Sequence, residues 1–167
     1  MSLEEQWTLR AELSYRIRTA SPQIWNEFSQ LWMAFNALYG GEPDERERAR
    51  VIACVRRNVS EQEASSLLER VASPIGKILE IPPANLLLNR YDPRFRAASQ
   101  RYAAKYRNTG ESCVTRLASV AAILYQIRCN LIHGSKDPVR ERDVMLVTES
   151  VLVLQELLPA LEAALSA

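Results

Sequence analysis

Along most of this chain apolar residues recur three and four positions apart, and no run shows the strict alternation of a β-strand. Trp25, Phe28, Trp32, Phe35 and Tyr39 form one such series, an aromatic stripe along one face of a helix predicted over residues 22–39. A stripe of that kind faces a core, and Gly40-Gly41 closes the helix behind it. Val144, Val147, Val151, Leu154 and Leu158 repeat the pattern near the end of the chain, where Pro159 is expected to kink or weaken the last turns. Proline at the first helical position costs nothing, because that N–H has no helical partner, and the preceding side chain can cap the helix. Ser21-Pro22, Ser73-Pro74, Asp92-Pro93 and Asp137-Pro138 fit this signal, Glu42-Pro43 is a weaker version, and Ser60 with Glu63 forms a capping box.

These marks predict helical segments near 3–19, 22–39, 43–58, 61–72, 74–80, 93–107, 111–133 and 138–166. Long helices with short connections imply an all-α, up-and-down bundle of four to five main helices with short additional ones, in a single domain over residues 1–167. The stretch from Lys77 to Asn89, with Pro82-Pro83, is the least regular and is expected to be a surface excursion.

The segment 111–133 is apolar over most of its circumference, through Val114, Leu117, Val120, Ala121, Ile123, Leu124, Ile127 and Leu131. Such a helix belongs at the centre of a bundle. At about 100° per residue, Arg128 projects into the arc formed by Leu117, Ala121, Leu124, Leu131 and Ile132. A guanidinium there requires a carboxylate, a bound anion or a subunit interface. Asp143 is one candidate carboxylate; it could equally stabilise the first turn of its own helix.

Composition narrows the setting. The 167 residues carry a formal net charge of +1, so any attraction for nucleic acid must come from a local patch. The first 20 residues are charged throughout and lack a secretory apolar core. Arg, Gln or Glu interrupt the long apolar stretches before a bilayer-spanning length is reached. Cys54, Cys113 and Cys129 suggest neither a disulfide framework nor a zinc site. The expectation is a cytoplasmic chain with reduced thiols, no metal, no cofactor and no membrane association.

His133 is the only histidine, five positions after Arg128 and just before Gly134, expected to close the helix. In an ideal helix the two lie about 140° apart. They converge only if the helix unwinds at His133-Gly134 or if a second copy supplies the complement. An Arg and a His at one phosphate suit metal-free RNA cleavage. Imidazole moves the proton of the 2′-OH or of the leaving oxygen, and guanidinium holds the non-bridging oxygens. With one His per chain, an acid–base pair needs both histidines of a dimer. The plainer alternative is a solvated His beside a helix end.

The run Ile127-Arg128-Cys129-Asn130-Leu131-Ile132-His133-Gly134-Ser135-Lys136 resembles the signature of the HEPN superfamily, as does Leu31-Trp32-Met33-Ala34-Phe35-Asn36-Ala37-Leu38-Tyr39-Gly40. The resemblance covers the chain from about residue 10 onward. It implies a helical bundle, often a homodimer, and in many members a metal-independent ribonuclease of toxin–antitoxin or defence systems. Other members are non-catalytic RNA-binding or protein-interaction modules. The family's Arg falls on Arg128 and its His on His133; the polar residue common after the Arg is here Cys129, with Asn130 following. By this resemblance Arg128 and His133 are catalytic, while Asn130, Asn36 and Lys136 contact substrate. The implied partners are single-stranded RNA, a second copy of the chain, and an antitoxin or nucleotidyltransferase-like protein. Asn36 reads equally well as a helix-surface amide, and Cys129 as a small inert thiol.

A second candidate face runs from Arg90 to Arg107, where basic and aromatic residues interleave. On a helical wheel Phe95, Tyr102 and Tyr106 form one stripe, with Arg94, Arg101 and Lys105 about 100° away. Such a pattern serves single-stranded nucleic acid, and Arg101 and Lys105 are its candidate contacts. It also fits an amphipathic helix that buries its rings and solvates its charges.

Overall fold

A computed structural model describes residues 23–133 and 140–167. The predicted helix over 3–19, the starts at Ser21-Pro22 and Asp137-Pro138, and the positions Gly134 and Lys136 lie outside the described residues. Within them the chain is all helical: α1 over 23–39, α2 Glu47–Asn58, α3 Glu61–Arg70, α4 Ala72–Leu79, α5 Ala97–Arg107, α6 Cys113–Ile132 and α7 Glu141–Ser166. Five are long and two, α3 and α4, are short.

The aromatic stripe of α1 is the core face it was predicted to be. Phe28, Trp32, Phe35 and Tyr39 are all buried, and Trp32 packs edge-on against Phe35 and Tyr39. The nearly all-apolar α6 is the central helix, wrapped by α5, α2 and α3, and Leu117 to Leu124 is buried without a break. Helix α7 closes the other side over α4. Glu141–Ser166 is long and apolar enough to cross a membrane by length and composition, but 61% of its most apolar stretch is buried inside the fold. Most of that apolar surface is spent on the protein core. The helix also runs on through Pro159, which is exposed, instead of ending there.

Helix starts follow local hydrogen bonding more than proline position. Ser60 caps α3 by accepting from the Glu63 N–H at 3.2 Å, as its capping box predicts. Ser112 caps α6 in the same way through Thr115. The N-terminus of α6 is also met by Glu61 of α3, whose carboxylate accepts from the Cys113 and Val114 N–H groups. Those bonds and the positive end of the helix hold the Glu61 carboxyl below its ordinary range.

The proline signals at residues 43 and 93 mark turns. Asp92 accepts from the N–H groups of Arg94 and Phe95, and the Phe95 carbonyl is taken by Asn85 N–H, so α5 begins only at Ala97. Helix α2 begins at Glu47, after a turn in which Arg50 donates to the Asp44 carbonyl. Helix α4 starts one residue before Ser73-Pro74, and Pro74 sits in its first turn, where the missing N–H is harmless.

The irregular stretch after α4 is pinned to the bundle. Arg107 donates to Leu79 O at 2.7 Å and Arg96 to Pro82 O at 3.0 Å. These two arginines of the basic–aromatic segment are thereby structural.

Candidate functional site

Arg128 leaves α6 toward the N-terminus of α2 and meets Glu47, Nη1 to Oε2 at 3.2 Å, with each side chain a little over one-fifth exposed. The carboxylate that answers it is therefore Glu47 and not Asp143. The other oxygen of Glu47 accepts from Tyr39 Oη at 2.7 Å, and Tyr39 Oη in turn accepts from Trp32 Nε1 at 3.1 Å. Trp32, Tyr39, Glu47 and Arg128 thus form one chain across α1, α2 and α6. Burial, and then the Glu47 carboxylate, push the Tyr39 hydroxyl well above its ordinary range, so it stays a neutral donor. Arg128 Nε is buried without a hydrogen-bond partner, so one ion pair leaves this guanidinium incompletely satisfied.

Beside Arg128 lies a cavity of about 300 Å³ between α1 and α6, walled by Phe28, Trp32, Met33, Asn36, Leu131 and Ile132. Its rim is apolar and open to solvent: Met33 is 72% exposed and Ile132 59%. Asn36 is exposed and shares the cavity, with no hydrogen bond to Arg128 among the described contacts. His133 is exposed just past the end of α6, its N–H bonded to the Cys129 and Leu131 carbonyls. It does not line the Arg128 cavity. Within one chain the two residues share a helix without sharing a pocket, as their spacing requires.

Asn130 departs from expectation. It is 1% exposed, and both polar atoms of its amide are bonded within the protein. Oδ1 accepts from Leu86 N–H at 3.2 Å and from Gln126 Nε2 at 3.1 Å, while Nδ2 donates to Ala84 O at 2.8 Å. Buried in this way, the side chain is out of a substrate's reach. Asn130 instead locks the 84–86 stretch onto α6, which helix periodicity cannot reveal because the partners lie more than 40 positions away.

The second face is divided as well. Phe95 and Arg94 lie in the turn before α5, so the single stripe drawn from residue 93 does not exist over its first turn. Tyr102 and Tyr106 pack against the core, while Arg101 and Lys105 are exposed. Opposite them stand Arg46, just before α2, and Arg48 and Arg56 of α2, which pattern reading passed over. The string Asp44-Glu45-Arg46-Glu47-Arg48 looks self-neutralising in sequence; Arg46 does pair with Asp44, but where α2 begins Glu47 and Arg48 are turned apart. Glu47 turns to Arg128, whereas Arg48 turns to Gln126 Oε1 at 2.8 Å and sits over the Tyr125 ring.

The three cysteines are free thiols. Burial pushes the Cys54 thiol up to about 11, which makes it inert at neutral pH. Among the described residues no group of three or more His, Cys, Asp or Glu is placed to hold a metal ion.

Compared with protein-family profiles, curated proteins and solved structures, the chain has no significant match.

Proposed function

We propose that this chain is a metal-independent endoribonuclease of the HEPN type, acting as a homodimer whose α1–α6 faces meet. One observation carries the reading: a half-buried guanidinium, held by Glu47 beside an open apolar-rimmed cavity, stands five residues before an exposed histidine that ends the same helix. Covering Met33 and Ile132 with a second copy would remove exposed apolar surface and bring two His133 side chains toward one composite site.

In that site the substrate's 2′-oxygen attacks the adjacent phosphorus, the P–O5′ bond breaks, and a 2′,3′-cyclic phosphate and a 5′-hydroxyl result. One His133 takes the 2′-OH proton and the other protonates the leaving oxygen. Glu47 fixes one amino group of Arg128, which orients the guanidinium toward the charge developing on the non-bridging oxygens. Asn36, exposed in the same cavity, contacts the RNA in this reading, whereas Asn130 has a structural duty. A toxin or defence role, with an antitoxin or nucleotidyltransferase-like partner, belongs to this reading through the family resemblance.

A second reading, a non-catalytic module that binds RNA or a partner protein, is favoured by the same ion pair, since Glu47 already compensates the charge of Arg128. Cleavage of a fluorescent single-stranded RNA in EDTA separates the two. The enzyme loses EDTA-resistant cleavage in His133→Ala while remaining folded. A folded wild type that cleaves none of several RNA sequences overturns catalysis and leaves the binding module.

A further inference from the structure

Three hollows lie side by side between α2 and α5 over the surface of α6, with volumes of about 500, 300 and 160 Å³. They share walls. Arg48 and Arg101 line the first and second, and Ile52, Arg56 and Tyr102 line the first and third. Six cations face this trough, Arg46, Arg48, Arg56, Arg94, Arg101 and Lys105, and among the described residues no Asp or Glu lines it. On a chain of net charge +1 this is a local concentration and not a spillover of overall charge.

Arg46 and Arg94 are paired with Asp44 and Asp92, two residues away and outside the hollows. Among the described residues Arg48, Arg56, Arg101 and Lys105 make no ion pair. Arg48 Nε is in addition buried without a hydrogen-bond partner. A solvated basic face would spread such charges over a convex helix surface. Here they converge on a concave channel, where one sign of charge focuses the field on whatever enters.

The shape selects the ligand. From Arg46 to Arg56 the α2 wall rises about 15 Å at 1.5 Å per residue, which spans about four phosphates at 3.4 Å each along a stacked strand. Five of the six cations are arginines, whose planar forks match phosphate oxygens in pairs. Phe95 and Tyr102 also line the wall, under the guanidinium groups of Arg96 and Arg101, and a base that displaces either guanidinium can stack on the ring. We propose that the α2–α5 trough binds the phosphodiester backbone of single-stranded nucleic acid, RNA or DNA, without using Arg128 or His133. This inference is independent of the ribonuclease reading, because a DNA strand has no 2′-OH to cleave.

The test is fluorescence anisotropy of a labelled 20-nucleotide oligo-dT with the full chain. With about four phosphates neutralised, log K should fall against log salt with a slope near −3, about 50-fold between 50 and 200 mM. The double variant Arg56→Glu/Arg101→Glu should weaken binding by about tenfold or more at 50 mM and flatten the slope. Arg56→Gln/Arg101→Gln, which only removes charge, should move the same way with a native circular dichroism spectrum. Arg70→Gln, a surface arginine paired with Glu156 outside the trough, should bind within about twofold of wild type. No binding by wild type at 50 mM salt, or unchanged binding by both double variants, overturns the proposal. Loss of oligo-dT binding in Arg128→Ala would move the contact to the α1–α6 cavity and overturn it as well. Displacement by polyglutamate of equal charge at equal concentration would replace phosphate recognition with a general preference for acidic polymers.

Discussion

Truncating Asn130 to alanine separates a structural amide from a substrate contact more cleanly than any other single change. In the native protein this side chain satisfies Ala84 O, Leu86 N–H and Gln126 Nε2 at 2.8, 3.2 and 3.1 Å while itself 1% exposed. Each such bond contributes about 1 kcal/mol net, and a group left buried without a partner costs more. Losing three therefore costs at least about 3 kcal/mol, a large part of the 5–15 kcal/mol that holds a typical domain together. For a chain of this size about 3 kcal/mol lowers Tm by roughly 6–12 °C. Calorimetry of wild type and Asn130→Ala measures it directly. Asn130→Asp is the sharper companion. It keeps both acceptor contacts but turns a carboxylate oxygen toward the Ala84 carbonyl, so it should be unstable at neutral pH and partly recover on acidification, when a protonated carboxyl can donate. If Asn130→Ala melts within about 2 °C of wild type, the locking role is wrong, and the amide is again available to a ligand.

Two further outcomes follow from the ion pairs. Glu47→Gln removes the counter-charge of Arg128 and weakens a hydrogen-bonded chain of four residues. With both partners about one-fifth exposed, the loss should lie between those of surface and buried pairs, about 1–2 kcal/mol, read as a lower urea midpoint; an unchanged midpoint refutes the coupling. Glu61 contributes through its charge on the α6 N-terminus. Because its carboxyl is held below the ordinary value in the folded state, its contribution is full above the unfolded value near 4.5 and disappears as pH falls through the folded value. Wild type should therefore melt higher than Glu61→Gln at pH 7, with the gap closing on acidification; a gap independent of pH would exclude the charged interaction.

Sequence periodicity was a good guide wherever one face of a helix alone decides burial. The α1 stripe, the all-round apolar α6 and the need of Arg128 for a partner could all be read in this way. The Ser60 cap was legible because all its atoms lie within four residues. What stayed hidden depends on pairs distant in sequence. Glu47 meets Arg128 across 81 positions, and Asn130 meets Ala84 across 46. Proline misled at residues 43 and 93 because Asp44 and Asp92 bind nearby main-chain N–H groups and stabilise turns where a helix was expected. The trough was half visible, in Arg101 and Lys105. Its other wall was masked by the alternating charges at the start of α2, where Glu47 and Arg48 cancel on paper but are parted by about 100° in the helix.

The chain of bonds from Arg128 to Trp32 has a further consequence, an optical one. The indole of Trp32 both walls the α1–α6 cavity and donates its N–H to Tyr39, whose hydroxyl is committed to the carboxylate that holds Arg128. An anion that draws the guanidinium off Glu47 alters the charge felt two bonds further on, at the ring nitrogen of a buried fluorophore. The molecule therefore carries its own dye at the place where occupancy matters, wired to the charged group that would sense it.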